Sequence, residues 1–259
     1  SSGSRFSGAV LTIPRMAQVA STRITTITVS TLVKARDNSG IFAISGAVGA
    51  SQKASIGAAV GYNEIDNDVN AYLDSVALTT NGTLTIEALS ESAIGATTIG
   101  VAAAAGSGKF AGAGSVSVNM IKNTTEATIE NSSTVTTTGV GPVTLTATDT
   151  SEITADGGGV SIAVASGGQN SGTALSAGIS VAINEISNGV YAVIDDSTVT
   201  SGGNVALLAA STPTIYALTI GGSVSAAVGK KGGLAFAGAG AATPSVAAAF
   251  ALRKPYLSV

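Results

Sequence analysis

"NMIKNTTEATIENSSTV" occupies residues 119–135. Residues 184–199 read "NEISNGVYAVIDDSTV", and residues 63–78 read "NEIDNDVNAYLDSVAL". The three stretches share one frame. Asn63-x-Ile65-x-Asn67, Asn119-x-Ile121-x-Asn123 and Asn184-x-Ile186-x-Asn188 open it. Eight residues after the first Asn stands Ala71, Ala127 or Ala192, and two residues later Leu73, Ile129 or Ile194. An acid follows in each copy: Asp74, Glu130 or Asp195. A sentence copied in this way marks a repeat architecture.

Working outward, each copy is preceded by a Gly-rich tip and a strand of small residues. It is followed by a Thr-rich strand, a turn and a run of Gly and Ala that leads to the next tip. Lys53 and Lys109 stand at equal distances before their Asn, whereas the third tip, "GGQNSG" (167–172), is longer. Length variation of this kind belongs in surface connections. The units expected in a single repeat domain are residues 5–52, a degenerate cap, then 53–108, 109–171, 172–230 and a partial unit, 231–259. The outer copies carry Pro14 and Pro244 where the others have Asn or close to it. Proline cannot donate to a strand ladder, and terminal repeats depart from consensus because they cap a stack.

Runs such as "TLTIEAL" (83–89), "VTLTATD" (143–149) and "VALLAAS" (205–211) are rich in β-branched and alternating apolar residues. Turn signals separate them, among them Asn81-Gly82 and the stretch from Gly139 to Pro142. The fold class expected is all-β: a repeat-built parallel β-helix or β-solenoid. Units of 55 to 65 residues are expected to hold about three coils of ~20 residues each. The alternative is a layered antiparallel β-sandwich, in which the small-residue runs on either side of each tip pair as hairpins. The Asn pairs suit a structural ladder, with amides bonding along the stack, Ile buried between them, and Asn at bends where left-handed backbone is tolerated.

Composition narrows function. Apolar residues make up 45 % of the 259-residue chain but aromatics only 4 %, so the core must be built from small side chains on closely approaching backbones. There is no His and no Cys. That removes His-based triads and the usual transition-metal ligands. The pieces "GSGKF" (106–110) and "GKKGG" (229–233) lack the spacing of a phosphate loop. No broad basic stripe or stacking aromatics point to nucleic acid. No apolar run is long enough for a transmembrane helix. No catalytic set stands out. The one metal reading is Ca2+ held by Glu64, Asp66 and Asp68 with neighbouring Asn67 and Asp74, but the sister copies keep few of these acids. No other cofactor is implied.

Charge is segregated. Residues 1–36 carry five basic residues and no acid, residues 197–259 carry four and no acid, and all 15 acids lie between. Basic ends meeting acidic middles of neighbouring molecules would favour self-association. The partial last unit is a candidate assembly segment. It contains Pro244, Phe250, Leu252, Arg253, Lys254, Tyr256 and Leu257 and could add a strand to another subunit.

The unit "GAGSVSVNMIKNTTEATIENSSTVTTTG…VTLTATDTSEI" resembles the repeats of large bacterial exoproteins, the adhesins and filamentous-haemagglutinin-like proteins. The similarity spans about residues 26–240 and lies in repeat style and composition. It implies a non-enzymatic β-solenoid at the cell surface or outside the cell, forming filaments or matrix as a homopolymer. A monomeric adhesin module binding glycan is the alternative, and a carbohydrate-active enzyme on a β-helix the third.

Overall fold

The computed structural model describes residues 30–106, 109–167, 172–229, 233–242 and 245–252, the last two segments as backbone. The chain is a parallel β-solenoid. Its first described coil runs through β1 (Thr31–Asp37), β2 (Gly40–Ser51), β3 (Ala54–Ile65), β4 (Asp68–Asp74) and β5 (Ala77–Thr80). The second coil is β6 (Leu84–Ser90), β7 (Ala93–Gly106), β8 (Lys109–Ile121), β9 (Thr124–Glu130) and β10 (Thr134–Thr137). The third is β11 (Val143–Asp149), β12 (Glu152–Ser166), β13 (Gly172–Ile194) and β14 (Thr198–Thr200). The fourth is β15 (Val205–Ser211), β16 (Thr214–Val228), β17 (Gly233–Ala242) and β18 (Ser245–Leu252).

Each repeat unit is therefore one coil, not three. Asn63 lies in register with Asn119 and Asn119 with Asn184, at separations of 56 and 65 residues. The expectation of three short coils per unit fails because these strands are long: β7 has 14 residues and β12 has 15, where a short coil turns after a few. Offsets between neighbouring coils change only at tips and corners, for example from 59 residues between β7 and β12 to 65 between β8 and β13.

Every strand pairing among the described residues is parallel, which excludes the antiparallel sandwich. The runs on either side of a tip do travel in opposite directions. They face each other as two layers and bond to the coils above and below rather than to one another.

In cross-section the solenoid has a wide end and a blade. The wide end is a three-walled box. One wall is β1-β6-β11-β15, one is β5-β10-β14, and the third is β4, β9 and the C-terminal part of β13. Its core is conventional, with Leu84, Ile86, Leu145, Val143, Ile129 and Val190 fully buried. The blade has two layers, β2-β7-β12-β16 against β3, β8 and the N-terminal part of β13. Its interior is mostly Ala, Gly, Ser and Thr, with Lys109 buried at a tip and an all-Ala cluster nearby that includes Ala104, Ala111, Ala163 and Ala174.

Glycine sets the blade's thickness. A Cβ on Gly178 would lie 2.0 Å from the carbonyl oxygen of Gly222, and one on Gly100 would lie 2.2 Å from that of Gly114. Backbone touches backbone across the layers, well inside the ~10 Å spacing of ordinary stacked sheets. Hydroxyls bond across the same gap. Ser45 Oγ donates to the Val60 carbonyl at 3.0 Å, and the Ser176 and Ser225 hydroxyls lie 2.8 Å apart.

Candidate functional site

The N-x-I-x-N motif sits at the neck, where the blade joins the wide end. Strand alternation points both Asn residues and the Ile between them inward, and all nine residues are buried. None has left-handed backbone. Among the described residues, the non-glycine positions with positive φ are Ser75, Asn131, Ser132 and Asp196, all at the corner between the third wall and the β5-β10-β14 wall. The motif is therefore not a bend signal, and its two Asn residues do different work.

The first Asn works along the stack. Asn63 Nδ2 donates to Asn119 Oδ1 at 2.7 Å, and Asn119 Nδ2 donates to Asn184 Oδ1 at 2.8 Å. Asn119 Nδ2 also reaches Ser117 Oγ at 3.0 Å. The register partner of Asn184 in the fourth coil is Ser245.

The second Asn works across the section. Asn67 Nδ2 donates to Asp37 Oδ2 and Ser39 Oγ, both at 3.0 Å, on the corner between β1 and β2. Asn123 Nδ2 donates to Ser90 and Ser92 on the equivalent corner, and Asn188 Nδ2 to Asp149 and Ser151. Its Oδ1 faces the coil before it: Asn67 N–H donates to Asn123 Oδ1 and Asn123 N–H to Asn188 Oδ1, at 3.1 and 2.8 Å. Between the two Asn rows, Ile65, Ile121 and Ile186 pack against Ile41, Ile94 and Ile153 from the facing layer. The neck is thus an axial amide ladder, an Ile layer and a transverse clasp.

The corner partners are residues that the repeat frame did not single out. In register they read Asp37, Ser90, Asp149 and Ser211. Acid alternates with hydroxyl, so like charges stand two rungs apart, about 9.6 Å. Each carboxylate takes a hydroxyl from the next coil, Ser92 to Asp37 and Ser211 to Asp149, both at 2.8 Å. Burial opposes ionisation of Asp37, but the donors Ser39, Ser92 and Asn67 outweigh it and hold the carboxyl below its ordinary value. The triplets "DNS" (37–39), "SES" (90–92) and "DTS" (149–151) were the available signal.

The proposed calcium residues do not converge. Glu64 accepts from Tyr62 Oη at 2.6 Å and pairs with Lys122 at 3.7 Å, while Asp66 and Asp68 point to solvent. No group of three or more potential ligands gathers among the described residues. A row of acids does line the outer surface of the third wall, where Asp74 and Glu130 are register partners and Asp195 follows in the third coil. Burial first, then neighbouring acids, pushes the Glu126 and Glu130 carboxyls above their ordinary value. A shallow depression at the adjoining corner is lined by residues 132–134 and 195–198.

Two of the basic residues expected to meet neighbouring molecules are engaged within the chain. Lys34 pairs with Glu87 at 2.8 Å and Arg36 with Glu91, each on the next coil. The segment expected to add to another subunit is likewise part of this stack. Ser245–Leu252, containing Phe250 and Leu252, pairs with β13, Asn184 to Ser245 through Tyr191 to Leu252. Pro14, Pro244, Arg253, Lys254, Tyr256 and Leu257 lie outside the described residues. Among the described residues no helix is long and apolar enough to cross a membrane.

No family model matches the chain, and neither a curated protein nor a solved structure matches it.

Proposed function

We propose that the chain is a non-enzymatic structural protein, a β-solenoid subunit of a bacterial surface filament or extracellular matrix that assembles head to tail. The observation that carries this reading is the register of the coils. Equivalent residues repeat along one axis, and among the described residues β15, β16, β17 and β18 are paired on one side only. Unpaired strand edges template further pairing, and a head-to-tail contact that does not close generates a fibre. The resemblance of the repeat to those of large exoproteins points the same way.

Negative-stain electron microscopy of the purified chain at neutral pH tests it. Four coils span only about 19 Å along the axis. Rods many times that length, persisting at high salt, are the expected result. Uniform single particles that bind a glycan array would instead favour a monomeric adhesin. Turnover of a polysaccharide, abolished by Asp66→Asn or Asp195→Asn, would favour an enzyme.

A further inference from the structure

The blade is apolar on the outside. Of 23 exposed large apolar side chains among the described residues, twelve lie on the outer face of β2-β7-β12-β16. Phe42 is 79 % exposed, Val48 76 % and Tyr216 62 %. The alternation that puts Ala, Gly and Ser inside leaves Val, Ile and Leu outside. Monomeric proteins rarely expose a contiguous apolar surface of this extent.

We propose that this face docks against the same face of a second copy of the chain, in a two-fold, face-to-face pairing of blades. This goes beyond head-to-tail growth and does not depend on it. Two observations select the occupant. The first is area. Strands of about 12 residues at ~3.3 Å, four wide at ~4.8 Å, give a flat face of about 750 Å². That matches the ~800 Å² per partner of a stable protein interface. The second is charge. Apart from Glu152 at its base, the described face holds one charged group, Asp156, so almost nothing on it steers a charged partner.

Asp156 lies within the face, in register with Thr97 and Leu218. Pairing of the faces desolvates it, so its removal should tighten association. Val48 and Val160 both register with Val101 and form one ridge across three coils. Lysine there stays in water in the single chain but is buried and unpaired in the dimer.

Sedimentation velocity, with imaging of particle width, decides the matter. The expected result is a species of doubled blade thickness at about 100 μM chain. Combined Val48→Lys and Val160→Lys should abolish it with β-sheet circular dichroism retained, and Asp156→Thr should lower the dissociation constant roughly tenfold. Single-thickness particles at that concentration overturn the proposal. So does unchanged association of the folded lysine variant, or flotation with phosphatidylcholine vesicles in place of self-association. Should the lysine variant misfold, Asp156→Thr decides alone, and an unchanged dissociation constant refutes the pairing. Head-to-tail growth lengthens the particle without thickening it, so either reading can fail while the other stands.

Discussion

The wide end and the blade are built by the same two-residue alternation with its sides exchanged. In β6, Leu84, Ile86 and Ala88 face in while Thr85 and Glu87 face out. In β12, Val160, Ile162 and Val164 face out while Gly159, Ser161 and Ala163 face in. A box with three separated walls has volume to fill and takes large side chains. Two layers whose backbones touch have none, and take glycine, alanine and hydroxyls that bond across the gap. Chain geometry, not hydropathy alone, decides which side of an alternating strand becomes the interior.

The two regions should therefore fail in opposite ways. In the wide end, removal of atoms does the damage. Leu145→Ala should cost about 3 kcal/mol in urea unfolding, because Leu145 is fully buried between Ile86 and Leu207. In the blade, addition of atoms does it. Gly178→Ala should cost about 2–3 kcal/mol, since its methyl would meet the backbone of Gly222. Deletion on the blade's outer face, as in Val160→Ala, should change single-chain stability by no more than about 0.5 kcal/mol. A glycine variant as stable as the parent would dissolve the contrast.

At the neck between the regions, Asn119→Ala removes the middle of the amide ladder. It leaves Asn63 Nδ2 and Asn184 Oδ1 buried without that partner, a loss of about 2 kcal/mol. Asn63→Ala, at the end of the described ladder, should cost about half as much, and equal losses would show that the bonds do not act as a row.

The smallest effect is in pH response, which belongs to the wide end and neck. Glu126 and Glu130 have raised carboxyl pKa values in the folded chain. They therefore favour folding most when protonated, and that contribution fades as pH climbs from the ordinary carboxylate range through their raised values. Glu126→Gln should raise the melting temperature at pH 7 by about 1 °C and leave it unchanged near pH 3. Asp37 has the opposite sign. Its contribution is present above the ordinary Asp value and is lost as pH falls through its depressed one. A melting curve for Glu126→Gln that parallels the parent's at every pH would remove this distinction.

The repeat, its β character and the Asn-Ile-Asn rows were legible because the copies keep identical spacing from Asn63 to Asp74, from Asn119 to Glu130 and from Asn184 to Asp195. Coil length was not. A period of 55 to 65 residues fixes the repeat distance but not how many times the chain turns within it, and the length and register of β7 and β12 settle that. The division of labour between the two Asn residues was hidden as well. The partners of Asn67 and Asn188 lie 30 and 39 residues upstream, at Asp37 and Asp149, outside any local window. Nor does local patterning show that Val48 and Val160 face water, because that depends on how closely the facing layer approaches.

The claim on which the rest stands is that one unit makes one coil. Paired nitroxide labels at Thr85 and Thr144, outward-facing register partners on β6 and β11, test it directly. Adjacent rungs stand ~4.8 Å apart. The expected continuous-wave spectrum is strongly broadened by dipolar coupling, with a Thr85 and Ala105 pair, 20 residues apart, showing none. Broadening of the second pair and its absence from the first would contradict the coil.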